Sequence, residues 1–282
     1  MSLSDSLALI TGGGSGIGRA LAIEAARRGV AVALVGRRAE RLKETRMCLA
    51  KGAECLILPG DVTSRRDRHA IRDRISREWG LLDILVNNAG IVTAGALGDT
   101  RDSELERLMT TNVIAPMAMT RDMLPLLLKG APSRVVNVGS MLGDIGCPMF
   151  SAYSASKFAL RGLSNALRRE LKSFGVGVTY AAPRGAKTDA TRTIAPLIET
   201  LKMPLDDTGL IARQIWDAVA RRRNTAYPPG RERVFLLVER LFPSIVDRAL
   251  TSQLETSGLR RLVEESLPLM PSQENIHAAE ID

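Results

Sequence analysis

The chain has 282 residues, 45% of them hydrophobic and 25% charged, which suits one large α/β domain with appendages and a sizeable core. Cys48, Cys55 and Cys147 form no CxxC pair, which argues against a disulfide scaffold or a zinc site, and no apolar run approaches the roughly 20 residues that cross a bilayer. The opening "MSLSDSLALITGGGSG" lacks the basic start and long apolar middle of a signal peptide, so a cytoplasmic protein is expected.

The net charge of +8 could serve an anionic cofactor, an acidic membrane surface or nucleic acid. Its arginines are scattered, only "RRR" at 221–223 clusters, and no aromatic residues interleave them. A solvated basic surface is the better reading, and no nucleic-acid partner is expected.

Apolar strand-like runs fall at 7–10, 31–35, 55–58, 84–86, 135–138, 176–181 and near 225–227, with amphipathic stretches such as "IGRALAIEAARRG" between them. This alternation predicts a parallel sheet covered on both faces. The pattern loosens after Thr188 and no longer reads as sheet from about Pro228.

Between the first strand and the first helix lies "TGGGSGIG", residues 11–18. Glycines there let the backbone turn tightly and approach a pyrophosphate, whose charge suits the helix N-terminus. The spacing departs from GxGxxG, but the strand before and helix after supply the required context, which makes Gly12, Gly14, Ser15, Gly16, Ile17 and Gly18 candidate cofactor residues. The second strand ends in Gly36, Arg37 and Arg38, where an NAD-binding chain usually carries an acid for the ribose 2′-hydroxyl. An acid would repel a 2′-phosphate, whereas a guanidinium pairs with it, so NADP(H) is expected in preference to NAD(H), with Arg37 the better candidate. "GDV" (60–62) and "NNAG" (87–90) follow the third and fourth strands, where open α/β sheets bind ligands, although either is also an ordinary turn.

"TGGGSGIG", "NNAG", Asn112, Ser140 and "YSASK" (153–157) together resemble the short-chain dehydrogenase/reductase family in order and spacing, over roughly residues 5–230. The resemblance implies a doubly wound Rossmann fold with a seven-stranded parallel sheet. It also implies hydride transfer between a nicotinamide and a carbonyl or alcohol, and assembly as a homo-oligomer, a dimer or tetramer. By similarity Asp61 and Val62 flank the adenine, Asn88, Ala89 and Gly90 line the cofactor, and Asn112, Ser140, Tyr153 and Lys157 form the catalytic set. Pro183 packs near the nicotinamide and Thr188 bonds its carboxamide. The family's glycine after the proline is here Arg184, which could shift the loop, reach a phosphate or acidic substrate, or face solvent.

The spacing of the tyrosine and lysine has a physical reading. Four residues apart on a helix, Tyr153 and Lys157 share a face, and the small residues between them leave room for ligands. A free phenol titrates near 10, so easing its ionisation to about 7 takes roughly 4 kcal/mol, which a neighbouring ammonium and an oxidised nicotinamide are expected to supply. The Ser140 hydroxyl can hold a substrate oxygen toward Tyr153. Pro116 has no N–H for the carbonyl of Asn112, and a freed carbonyl there could hold a water on a path to the lysine; the alternative is a kink that only improves packing.

Other chemistries lack their residues. The histidines are His69, in a charged helix, and His277, in a polar tail, and there is no GxSxG, GxxxxGK or HExxH pattern. No metal is expected.

The organisation expected is a catalytic domain over 1–230, with a substrate lid near 189–207, and a helical extension over 231–282. Ile194, Leu197, Ile198, Leu201 and Met203 recur at near-helical spacing, which suggests an apolar substrate or simply a cover for the core. Residues 231–254 read as a basic amphipathic element that lies on a membrane, gates a lipidic substrate, packs on the domain or forms a subunit interface. The polar tail from Met270 reads as poorly ordered. The expected function is therefore an NADP(H)-dependent oxidoreductase acting on a carbonyl or secondary alcohol, the alternative being a catalytically silent dinucleotide-binding sensor or scaffold.

Overall fold

The computed structural model describes residues 3–230 and 232–266. In chain order the first half contains β1 (Leu7–Thr11), α1 (Gly16–Arg27), β2 (Ala31–Gly36), α2 (Ala39–Met47), β3 (Cys55–Pro59), α3 (Arg65–Glu78) and β4 (Ile84–Asn87). There follow α4 (Asp102–Met109), α5 (Ala115–Lys129), β5 (Ser133–Val138), α6 (Ser151–Glu170) and β6 (Val176–Ala181). The remainder comprises β7 (Gly185–Ala186), α7 (Asp189–Arg192), α8 (Ala195–Thr200), β8 (Leu205–Asp206), α9 (Thr208–Ala220), β9 (Thr225–Ala226), α10 (Glu232–Leu241), α11 (Pro243–Thr256) and α12 (Arg260–Ser266).

The expected seven-stranded parallel sheet forms, in the order β3-β2-β1-β4-β5-β6-β9. Side chains alternate across a strand, so each run feeds two cores. Ala8, Ile10, Val32, Leu34, Ile84 and Val86 pack with Leu21 and Ala25 of α1 and Ile215 and Trp216 of α9. Leu9, Ala33, Val35, Leu85 and Val135 face the other way, against Ile71 and Ile75 of α3 and Met119 and Met123 of α5. This two-sided burial explains the near-continuous apolar runs, since a parallel strand covered by helices has no solvent face. The indole N–H of Trp216 donates to the carbonyl of Leu21 at 2.9 Å and satisfies the one polar atom of that core side chain. Strand order reverses between β1 and β4, which opens a crevice at the carboxyl ends of the strands.

Proline 116 does not produce a simple kink. Residues Thr110–Ile114 form a π turn between α4 and α5, with the Ala115 N–H bonded to the carbonyl of Thr110. The hydrogen-bond ladder shifts to a five-residue step just before the residue that cannot donate.

The C-terminal region folds back over the domain. Leu254, Leu259 and Val263 pack with Met149, Phe150, Tyr153 and the 194–203 segment, and the Gln253 side-chain amide donates to the Leu201 carbonyl at 2.7 Å. On α10 the positions Val234, Leu237 and Leu241 are 63%, 56% and 60% exposed, so an apolar stripe faces solvent. Among the described residues no helix is long and apolar enough to cross a membrane. The tail from Met270, including His277, lies outside the described residues.

Candidate active site

The crevice holds two adjoining clefts. The inner one, about 410 Å³, is lined by Gly12, Ser15, Gly16, Ile17 and Gly18, by Asn88, Ala89 and Gly90, and by Ser140, Tyr153, Lys157, Pro183 and Thr188. The outer one, about 790 Å³, is lined by Gly14, Arg37, Arg38, Asp61 and Val62, and shares Gly12, Ser15, Ala89 and Gly90 with the first. All the sequence-derived candidates except Asn112 thus line one continuous crevice.

The glycine turn is shaped by sterics. Gly12 and Gly16 have φ of +67° and +50°, a region that disfavours side chains, and a Cβ on Gly18 would run into the carbonyl of Gly12. Close packing of α1 on β1 therefore needs glycine at position 18. Ser15 caps α1 without a side-chain hydrogen bond, which leaves the first backbone N–H groups of the helix available to an anion. A glycine-rich cradle at a helix N-terminus, with exposed Arg37 and Arg38 at the far end, fits a nicotinamide dinucleotide.

Thr11, which the sequence reading passed over, fastens this turn. Its hydroxyl accepts from the N–H groups of Asn88 (2.9 Å) and Ala89 (3.0 Å) and donates to the Val86 carbonyl (3.2 Å). The Asn88 side chain donates back to the Thr11 carbonyl at 2.9 Å. Asn87 is buried between β5 and α5, its amide donating to Asn137 Oδ1 at 2.9 Å and Thr120 Oγ1 at 3.0 Å. Asp61 accepts from the Thr63 N–H and hydroxyl at 2.9 and 2.7 Å, which closes the turn after β3.

Asn112 is 1% exposed and lines neither cleft. Its amide exchanges two 2.9 Å hydrogen bonds with the backbone of Ile91 and donates to Ser156 Oγ at 3.1 Å. The side chain thus ties the loop after β4 to α6.

Tyr153 and Lys157 lie on one face of α6, as their spacing requires, and Ser140 caps a short 3₁₀ turn after β5. Ser140 Oγ accepts from the Leu142 N–H at 3.1 Å, which fixes its rotamer and leaves its proton free to donate. The Lys157 ammonium donates to the Val138 carbonyl at 3.2 Å and sits 5.6 Å from the centre of the Tyr153 ring.

In the protein without cofactor, burial works against the easing that the spacing predicts. Desolvation pushes the Tyr153 phenol up to about 12, against a smaller opposing effect of the Ser140 hydroxyl. Burial brings Lys157 down to about 8. In the protein alone the phenol is harder to ionise, because an enclosed apolar wall penalises both charges.

Arg184 lines the inner cleft and also makes an ion pair. Its Nε pairs with Asp206 Oδ2 at 3.0 Å, across the short parallel β7–β8 ribbon. Arg184 therefore anchors the strand on which the 189–207 segment returns. Within that segment Ile194, Ile198 and Met203 line the inner cleft, opposite Val92, Leu142 and Phe150. Thr188 caps α7, its hydroxyl accepting from the Thr191 N–H at 3.4 Å.

A doubly wound parallel sheet with its ligand crevice at the β1/β4 reversal is a Rossmann fold. The short chain dehydrogenase family model matches residues 6–197. A human protein, Dehydrogenase/reductase SDR family member 7, is 35% identical over 187 residues, covering 64% of this chain and 55% of its own length. The 3-ketodihydrosphingosine reductase of Bos taurus is 34% identical over 186 residues, covering 64% and 56%. The chain thus spans little more than half the length of these two curated relatives. A solved short chain dehydrogenase/reductase from Burkholderia phymatum, in complex with NAD, superimposes with a TM-score of 0.79 at 24% identity, over 87% of this chain and 96% of that one. The chain belongs to the short-chain dehydrogenase/reductase family of oxidoreductases.

Proposed function

We propose that the protein is an NADP(H)-dependent carbonyl reductase for apolar, lipid-like ketones or aldehydes. The observation that carries this reading is the meeting of Ser140, Tyr153 and Lys157 at the inner end of the crevice, beside the glycine turn and under an apolar wall. The reduced nicotinamide, when bound, supplies the hydride. The Ser140 hydroxyl donates to the substrate oxygen and orients it, and Tyr153 gives up the proton that completes the alcohol. The phenol, pushed up to about 12, is protonated at neutral pH and so holds a proton to donate. Lys157 supplies the positive charge that steadies the phenolate left behind.

Two features support the cofactor preference. Arg37 and Arg38 are exposed at the end of β2, and neither forms an ion pair among the described residues. No acid takes the position that would hold a ribose 2′-hydroxyl. Arg37→Asp is expected to lower the ratio of kcat/KM for NADPH over NADH by about 10²-fold, through a lost charge-assisted hydrogen bond and a new repulsion. An unchanged ratio contradicts the assignment.

The apolar substrate class is supported by Val92, Leu142, Phe150, Ile194, Ile198 and Met203 along the inner cleft. The bovine relative's name, which specifies the reduction of a keto compound, agrees with a carbonyl substrate. In a series of methyl ketones followed by loss of NADPH absorbance, kcat/KM should rise about 3- to 4-fold per added methylene until the cleft is filled. A flat or falling series removes the lipid-like reading. A silent sensor or scaffold would bind NADPH and consume none with any member of the series; the complete Ser140, Tyr153 and Lys157 set favours the enzyme.

A further inference from the structure

Beneath the Ser140 turn lies a buried polar cluster whose members line neither cleft. Tyr180 of β6 is 1% exposed, and its phenol donates to the Ser140 backbone carbonyl at 3.1 Å. A Cβ on Gly139 would run into the Tyr180 ring, and one on Gly143 into the Tyr180 hydroxyl and the Lys157 backbone carbonyl, so the turn closes on this side chain and on α6 only because both positions are glycine. At the far end of the same turn, the Asp144 side chain is 1% exposed. Its Oδ1 pairs with Arg161 Nη1 at 2.9 Å and accepts from the Tyr227 hydroxyl at 2.9 Å. Tyr227 also meets Tyr180 edge to face, with ring centres 6.5 Å apart.

Arg161 is the informative member. It lies two four-residue steps beyond Tyr153 on α6, so Tyr153, Lys157 and Arg161 share one helix face. The turn that carries Ser140 is thus bound at one end to β6 through Tyr180, and at the other to the very helix that carries Tyr153. Arg240 approaches the same carboxylate at only 3.9 Å from a 57% exposed position and adds little.

We propose that Tyr180 and the Asp144–Arg161 pair are positioning residues that set the Ser140 hydroxyl at its working distance from Tyr153. This rests on the reading of Ser140 and Tyr153 given above. Tyr180 acts through Ser140 and touches neither substrate nor the transferred atoms. Its phenol holds the serine carbonyl, the carbonyl fixes the peptide plane, and the plane fixes the direction of Cβ and the hydroxyl. Arg161 keeps the turn in register with α6. Small errors in such a placement are costly, because the hydroxyl must meet an oxygen whose charge is only then developing.

The test is a double-mutant cycle in the full-length protein between Tyr180→Phe and Ser140→Ala. It reads kcat at saturating ketone, NADPH dissociation by nicotinamide fluorescence, and Tm. Tyr180→Phe keeps the ring and removes one donor. It is expected to lower kcat about 5- to 10-fold and to leave NADPH affinity within about 2-fold. In the Ser140→Ala background it should have no further effect on kcat, since the group it positions is gone. A purely structural role would lower Tm equally in both backgrounds and reduce kcat by the same factor in each, and that result overturns the proposal. So does an unchanged kcat for Tyr180→Phe alone. Should Tyr180→Phe fail to bind NADPH, Arg161→Gln takes its place in the same cycle, with the same expected and contrary results. Wild-type turnover by Ser140→Ala alone would instead sink the underlying site reading, a separate outcome.

Discussion

Replacing Tyr153 with phenylalanine is expected to lower kcat by about 10²- to 10⁴-fold, the range general acid catalysis contributes, while NADPH binding holds steady. The substitution removes one oxygen and keeps the ring, so the apolar wall shared with Leu142, Leu197 and Leu254 is preserved. A large effect is expected because the two neighbouring groups are poor substitutes for the phenol. Ser140 has an ordinary hydroxyl whose proton is far harder to surrender, and the Lys157 ammonium is held by the Val138 carbonyl at 3.2 Å. Steady-state kinetics with a ketone from the methyl series, beside a fluorescence titration with NADPH, separates the two quantities. Residual turnover within a few-fold of wild type would mean that the proton comes from elsewhere.

The second large effect concerns Lys157, where activity and stability should move in opposite directions. Burial lowers its titration from 10.5 to about 8. The folded state therefore disfavours the charged form, and between pH 8 and 10.5 the unfolded chain binds more protons. The cost of burying the ammonium is fully present below pH 8 and relieved as pH rises through the window, and stability rises with it. At 1.36 kcal/mol per unit that cost is about 3 kcal/mol, from which a lost hydrogen bond to Val138 of about 1 kcal/mol must be subtracted in the variant. Lys157→Met should be more stable than wild type by about 2 kcal/mol at pH 7, with the gain shrinking toward pH 10.5, while kcat falls about 10²-fold or more. Denaturant melts at several pH values check the sign. A variant less stable at pH 7, or an advantage that grows with pH, would contradict the electrostatic account.

Most of the frame was legible because parallel strands covered on both faces leave uninterrupted apolar runs. Residues 31–35 and 135–138 could hardly be anything else, and β2 and β5 formed there with boundaries moved by two residues at most. The glycine turn was equally legible, since a backbone that must run close to another has one residue type available. What the sequence hid depends on distance in three dimensions. The ionisation of Tyr153 was expected to be eased by the Lys157 ammonium and an oxidised nicotinamide together; in the protein alone burial opposes it, and Phe150 and the 194–203 segment belong to the apolar cluster around the ring. Arg184 finds Asp206 only because β7 and β8 pair. Asn112 kept its place in the pattern, but its side chain serves the loop after β4 and lies outside the crevice. Thr11 and Tyr180 gave no periodic signal, one being the last residue of a strand and the other an interior strand residue.

The most direct measurement follows the transferred atom itself. NADPH dideuterated at nicotinamide C4 is incubated with the enzyme and a medium-chain methyl ketone, and the product is examined by mass spectrometry. The account predicts a secondary alcohol carrying one deuterium on its carbinol carbon, formed in step with NADPH loss. A bound, slowly exchanging NADPH with no labelled alcohol from any ketone or aldehyde in the series would contradict it, and would leave a dinucleotide-binding protein without the reaction.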